Sequence, residues 1–158
     1  MTDARDVRIR GARAHEAGAL TRLAIAAKAS WGYPAEWLDR WRDELTITPA
    51  YLRSHRVLVA EDSEGIVLGM IAVEVEDERA EIAHLWIRPD AQRRGVGAAL
   101  LRAAVAAAPP VPLHVTSDPQ AVEFYRRHGA RVIGRVAAPM PGAPERVLPV
   151  LAIEGRET

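Results

Sequence analysis

A short segment of the chain combines residue types that bind phosphate groups. Residues 92–97 read Gln-Arg-Arg-Gly-Val-Gly and stand between a strand-like stretch and an alanine-rich run with helical periodicity. Glycine lets the backbone turn sharply and lets a ligand approach closely. The first N–H groups of a helix have no partners within it and lie at the positive end of its dipole, so a phosphate is their natural ligand. Because Arg93 and Arg94 add positive charge, the segment predicts an anion-binding loop.

Two common nucleotide-binding loops fit this segment poorly. The dinucleotide fingerprint needs a third glycine, where Leu100 stands. It also needs an acidic residue at the end of the next strand, about 20 residues on, and that strand offers His114. The Walker loop needs Gly-Lys-Ser/Thr, which the sequence lacks. A nucleotide-binding protein is therefore a disfavoured alternative.

The elements that must position this loop follow from the hydrophobic periodicity. The order of strands and helices predicts one α/β (α+β mixed-sheet) domain over residues 1–158, with about six or seven strands and helices on both faces. The predicted elements are a strand at 7–10, helices at 14–30, 35–45 and 48–54, strands at 57–60, 66–75 and 79–87, a helix at 96–108, a strand at 113–115, a helix at 118–128, and strands at 131–136 and 147–153.

The strand predicted over Arg79 to Ile87 determines which side chains share a face. Strict alternation puts Ile82, His84 and Trp86 on one face and Glu81, Ala83, Leu85 and Ile87 on the other. His84 then points away from Glu81 and is interpreted as structural. The histidines show no metal-ligand spacing, so no metal is expected.

A second segment identifies the family that the first one suggests. Residues 118–130 read Asp-Pro-Gln-Ala-Val-Glu-Phe-Tyr-Arg-Arg-His-Gly-Ala. This segment resembles the Asn-x-x-Ala-x-x-Phe-Tyr-x-x-x-Gly-Phe motif of the Gcn5-related N-acetyltransferase (GNAT) family, with Asp118 and Ala130 in place of the usual Asn and Phe. Residues 92–97 match the family's Gln/Arg-x-x-Gly-x-Gly/Ala motif in full. The resemblance covers most of the chain and implies an N-acetyltransferase that uses acetyl-CoA.

The resemblance also implies where acetyl-CoA binds. A central strand is splayed from its neighbour like a V, and the pantetheine arm lies in the opening against strand 79–87. The main chain of this strand would bind the acetyl and pantetheine groups, and the amides of the glycine loop would bind the pyrophosphate. Tyr125 would donate a hydrogen bond to the leaving thiolate, although packing against Phe124 is its plain alternative. The cofactor-binding residues implied are Leu85, Trp86, Ile87, Gln92, Arg93, Arg94, Gly95, Val96, Gly97, Ala98, Asp118 and Tyr125.

An acceptor amine must lose a proton before it attacks, because a lysine-like amine has a pKa of about 10.4. Glu81 is the first candidate for the general base and Glu74 the second. A chain of water molecules that carries the proton to bulk solvent is the alternative to both. Either carboxylate can also be an ordinary solvated charge on a strand with no catalytic role. The Leu85 N–H is the candidate to stabilise the oxyanion. A chain without cysteine cannot form an acetyl-cysteine intermediate, so direct attack in a ternary complex is expected.

Aromatic residues mark the expected acceptor pocket. Trp31, Tyr33, Trp37 and Trp41 fall within eleven residues. They can form the wall of an apolar or cationic site, although core packing explains them equally well. Trp31 and Tyr33 are favoured because they follow a broken helix end. Arg146 follows a proline-rich loop and can pair with a substrate carboxylate or be a surface cation.

Composition excludes several other classes of protein. The 158 residues include no cysteine, 21 basic and 21 acidic side chains, and a single lysine, Lys28, which we interpret as a genome composition bias. The charge balance argues against nucleic acid, and the polar N-terminus argues against a signal peptide. We expect a cytoplasmic enzyme whose partner is a small-molecule or peptide amine and which does not associate with a membrane. Homodimer formation is left open. A non-catalytic acyl-CoA-binding regulatory or scaffold module is the alternative.

Overall fold

The computed structural model of the chain describes residues 6–154. Residues 1–5, which carry most of the polar N-terminal stretch used above, and residues 155–158 lie outside the described part. The strands are β1 (Arg8–Gly11), β2 (Arg56–Glu61), β3 (Val67–Glu76), β4 (Arg79–Ile87), β5 (Leu113–Thr116), β6 (Arg131–Ala137) and β7 (Val147–Ile153). The helices are α1 (Ala17–Ala29), α2 (Ala35–Leu45), α3 (Pro49–Ser54), α4 (Val96–Ala107) and α5 (Val122–Arg127).

The strands form one mixed sheet in the order β1-β2-β3-β4-β5-β7-β6. Neighbours pair antiparallel except β4 and β5, which are parallel and are joined through α4. A parallel pair needs a crossover of this kind, because a short turn cannot return the chain to the same end of the sheet. The predicted mixed sheet is therefore confirmed, with seven strands within residues 6–154.

Helices cover both faces of the sheet, as predicted. On one face α4 buries Val96, Leu100 and Leu101 against the sheet, and Tyr125 of α5 joins the same cluster. On the other face Leu20 and Leu23 of α1 pack with strand residues that include Met70 and Val59. The sheet is thus the middle layer between two hydrophobic cores.

Several helix boundaries differ from those predicted. The helix expected at 14–30 divides into a 3₁₀ turn at Ala14–Glu16 and α1, which ends before the left-handed Gly32. The helix expected at 118–128 divides in the same way into a 3₁₀ turn at Pro119–Ala121 and α5. Both turns precede an α-helix, where 3₁₀ geometry is common because the first turn lacks α-helical acceptors.

A β-bulge in β4 makes the predicted alternation wrong. Val73 lies opposite Ile82 and the next β3 residue, Ala72, lies opposite His84, so Ala83 is an extra residue. Because successive residues of β3 face opposite sides of the sheet, Ile82 and His84 do so as well. Glu81 therefore shares its face with His84 and Trp86, and not with Leu85 as strict alternation required.

No helix within residues 6–154 is long and apolar enough to cross a membrane.

Candidate active site

The parallel strands β4 and β5 part to form a V-shaped cleft. They pair only where Ala80 meets Leu113 and Glu81 meets His114, and among residues 6–154 no strand pairs with the rest of β4 on that side. A cavity of about 220 Å³ lies in the opening and is lined by Leu85 and Trp86 from β4. The cleft is the feature that the GNAT resemblance implied.

Backbone groups of β4 face this opening. The Arg88 N–H donates to the Leu68 carbonyl at 2.8 Å, which makes these residues a hydrogen-bonded pair of the β3–β4 ladder. Hydrogen-bonded pairs alternate along an antiparallel ladder, so Trp86 and His84 also bond to β3. The N–H and C=O groups of Leu85 and Ile87 between them point away from β3 and into the cleft. An extended amide chain can therefore add to β4 as an extra strand.

The anion-binding loop lies at the open end of the cleft. Gly95 has φ of 80° and is the N-cap of α4, and Arg93 has φ of 65°. Both residues are in the left-handed region, which turns the backbone sharply and which glycine adopts at little cost. The first hydrogen bond of α4 joins the Ala99 N–H to the Gly95 carbonyl at 3.0 Å. The amides before Ala99 therefore have no acceptor in the helix and can bind an anion.

Tyr125 forms part of the cavity wall at the base of the cleft. It is 5% exposed and packs edge-on against Phe124, with ring centroids 5.2 Å apart. Within residues 6–154 its hydroxyl has no hydrogen-bond partner, yet the residue lines the cavity. Burial raises the pKa of this hydroxyl, which keeps it protonated and able to donate. Core packing and a donor role are thus compatible in one side chain.

Lys28 stands on the acceptor side of the same cavity, among aromatic rings. Its ammonium lies 3.0 Å from Asp118 Oδ2, and the two side chains are 11% and 7% exposed. The Nζ atom lies 4.1 to 5.8 Å from the ring centroids of Trp31, Tyr33, Trp41 and Trp86. Burial lowers the pKa of Lys28, and the Asp118 charge opposes that shift. The sequence pattern predicted no role for Lys28, although this residue stands out as the single lysine of the chain.

Three comparisons with known proteins agree with this geometry. The family model for an acetyltransferase (GNAT) domain matches residues 53–129. The peptidyl-lysine N-acetyltransferase YiaC of Escherichia coli (strain K12) is 30% identical over 127 residues, which cover 79% of this chain and 84% of that protein. The chain belongs to the GNAT family.

Solved structures show the same fold as this acetyltransferase. The apo form of YjaB from Escherichia coli has a TM-score of 0.68 and 26% identity, over 95% of this chain and 99% of that chain. The PaiA N-acetyltransferase of Thermoplasma acidophilum, solved in complex with coenzyme A, has a TM-score of 0.72 and 17% identity, over 94% and 98% of the two chains. The family assignment makes the protein an acetyltransferase and disfavours the nucleotide-binding alternative.

The two candidate bases of the acetyltransferase lie together beside the cavity. Glu74 and Glu81 are directly opposite on β3 and β4, and the Tyr51 hydroxyl donates to Glu74 at 2.8 Å. Neither carboxylate lines the cavity, whereas His84 on the same face does. The His84 Nδ1 accepts from Trp86 Nε1 at 3.0 Å, and burial lowers the pKa of His84. His84, which strict alternation placed on the opposite face from Glu81, therefore shares the face of the carboxylates and lines the cavity where they do not.

Asp118 was predicted to bind the pantetheine arm, but its carboxylate is already hydrogen-bonded by other groups of the chain. Its carboxylate accepts hydrogen bonds from Lys28 Nζ, the Tyr33 hydroxyl and the Gln120 N–H. A carboxylate with three donors has little capacity left for a ligand amide. Its role as a direct cofactor ligand stays a prediction.

Arg146 reaches the cavity from the segment between β6 and β7. Its guanidinium carbon lies 5.4 Å from the ring centroids of both Trp37 and Trp41, and Nη1 donates to the Ala138 carbonyl at 3.2 Å. Trp37 is tied to that segment, because its Nε1 donates to the Pro141 carbonyl at 2.9 Å. Trp31, Trp41 and Arg146 therefore line the cavity together, whereas Tyr33 and Trp37 pack against Trp41 without lining it. Within residues 6–154 no cluster of three or more metal-ligating side chains is present.

Proposed function

We propose that the protein transfers the acetyl group of acetyl-CoA directly to a primary amine of a small molecule or peptide, within a complex that holds both substrates. The observation that carries this proposal is Tyr125, a buried residue that lines the cavity between the parted strands and whose hydroxyl has no hydrogen-bond partner within residues 6–154. A donor on a cavity wall without a protein partner remains available to a substrate.

Acetyl-CoA fits the cleft through main-chain groups. The exposed amides and carbonyls of Leu85 and Ile87 would bind the amides of the pantetheine arm. The amides at the start of α4 would bind the pyrophosphate, with Arg93 and Arg94 as neighbouring cations. Gln92 would support the strand end, since its Nε2 lies 3.4 Å from the Ile87 carbonyl.

The chain supplies two groups to the transfer step. As the amine attacks the thioester carbonyl, negative charge develops on its oxygen, and the Leu85 N–H would stabilise that charge. The carbon–sulfur bond then breaks and the CoA thiolate leaves. Tyr125 would donate a hydrogen bond to the sulfur without full proton transfer, because burial raises the pKa of Tyr125 further above that of a thiol.

The proton of the amine must leave the cavity toward solvent. Glu81 and Glu74 lie on the acceptor face, with Glu74 half-buried and Glu81 exposed. Since both are outside the cavity wall, a water chain ending at one of these carboxylates accounts for the geometry better than direct abstraction does.

A binding measurement followed by a rate measurement tests the proposal. Acetyl-CoA at 100 times its dissociation constant should stabilise the fold by about 2.7 kcal/mol. NAD and ATP are the control ligands. A shift with NAD or ATP and none with acetyl-CoA would refute the assignment. Free-thiol release from acetyl-CoA, measured over a panel of amines, then tests transfer itself. Cytoplasmic location and homodimer formation stay predictions, and sedimentation velocity checks the second.

A further inference from the structure

The acceptor end of the cavity contains two cations on one aromatic ring. The Lys28 Nζ lies 4.1 Å and the Arg146 guanidinium carbon 5.4 Å from the ring centroid of Trp41. Both residues line the cavity, and the charge of Arg146 lowers the pKa of Lys28. Lys28 pairs with Asp118, whereas Arg146 has no carboxylate partner within residues 6–154, and its positive charge favours a ligand that brings negative charge.

The aromatic cage of the cavity is already filled. Four rings surround the Lys28 ammonium, and the buried Asp118 carboxylate neutralises it. An aromatic cage of this kind would otherwise bind a cationic ligand. Because the chain's own ammonium occupies it, a second cation would have to displace Lys28 from the rings or lie beside the positive charge of Arg146.

Arg146 differs from Lys28 because no carboxylate neutralises it. Within residues 6–154 no Asp or Glu lies within ion-pair distance of its guanidinium, and its hydrogen bond at 3.2 Å goes to the Ala138 carbonyl. The Tyr33 hydroxyl is a further neutral neighbour. Glu44 also lines the cavity, but it is exposed and pairs with neither cation. A guanidinium has five N–H donors, so most of those on Arg146 remain for a ligand.

We propose that the acceptor carries a carboxylate near its primary amine, as an amino acid does, and that Arg146 binds this carboxylate. The proposal rests on the transfer function proposed above and names its substrate class. A planar guanidinium binds a carboxylate through two parallel hydrogen bonds, which gives orientation as well as affinity. The tryptophan rings of the wall would pack against an apolar side chain.

Pairs of acceptors that differ only in the carboxylate test this proposal. Each amino acid is compared with its primary amide, and a lysine-containing peptide with blocked ends is added. The readout is kcat/KM from free-thiol release. We expect at least one amino acid to be used tenfold or more better than its amide. In Arg146→Gln the ratio of kcat/KM for the amino acid to kcat/KM for its amide should fall to near one, while the KM for acetyl-CoA stays unchanged.

Arg131→Gln is the matched control. Arg131 pairs with Glu154 on the surface, with both side chains more than 70% exposed, so the ratio should not change. Equal or faster transfer to the amides, transfer to the peptide alone, or an unchanged ratio in Arg146→Gln would overturn the inference and leave the proposed function standing. Acetyl-CoA binding with no transfer to any acceptor would overturn both.

Discussion

The buried Lys28–Asp118 pair gives a prediction whose size follows from the structure. The charged atoms are 3.0 Å apart and the side chains are 11% and 7% exposed. Removing one partner of a buried ion pair costs about 3–5 kcal/mol, because the other charge stays buried without compensation. In Lys28→Met the Asp118 carboxylate keeps the Tyr33 hydroxyl and the Gln120 N–H, so we expect a loss near the lower limit, about 3 kcal/mol.

The double variant separates this effect from a loss of packing. In Lys28→Met/Asp118→Asn both charges are absent, the methionine retains an apolar stem, and the cost should be within about 1 kcal/mol. The coupling free energy between the two sites should therefore be about 3 kcal/mol or more. For a chain of 158 residues a loss of 3 kcal/mol lowers Tm by roughly 6–12 °C.

Urea unfolding followed by circular dichroism measures these free energies. The midpoint should move without a change in the slope of the free energy against urea concentration, which would mean that stability alone has changed. Arg131→Gln, which breaks the exposed pair with Glu154, is the control and should cost no more than about 1 kcal/mol. A cost below about 1 kcal/mol for either single variant, or a double variant equal to the sum of the singles, would refute the reasoning.

Three further predictions follow from other parts of the structure. Tyr125→Phe should lower kcat at least about tenfold with an unchanged KM for acetyl-CoA, and full activity would exclude the donor role. A Cβ at Gly69 would lie 2.7 Å from Ile87 Cδ1 and 3.0 Å from the Trp86 carbonyl oxygen, which the backbone holds in place. Gly69→Ala should therefore cost about 1–3 kcal/mol, whereas Gly11→Ala, with open space around it, should not. Hydrogen bonds from the Arg10 guanidinium lower the pKa of Glu16 from 4.5 to about 2. This lowering contributes about 3 kcal/mol that is present above pH 4.5 and is lost as pH falls towards 2, and acid unfolding of Glu16→Gln should lack that component.

The sequence predicted the glycine loop and the helix start beside it better than the packing around Lys28. Residues 92–97 and 118–129 fixed the loop, the start of α4 and the position of Tyr125. These features are local, because a helix start and its glycines are encoded within a few residues. The strand 79–87 was also predicted within its observed limits, but not the bulge at Ala83. The bulge leaves no mark on the alternation of residue types along the sequence. Only the pairing of β4 with β3 shows that Glu81 and His84 lie on the same face of the sheet.

The amino-acid sequence by itself determined the family, the order of the elements and the glycine loop before α4, because these depend on short patterns and on backbone preferences. Only the tertiary structure brought Lys28 to Asp118, which is 90 residues away, and enclosed the ammonium with rings from three different parts of the chain. The same packing placed Arg146 on the ring of Trp41. Such contacts depend on how helices and strands pack across the sheet, and no local pattern of residues encodes that packing.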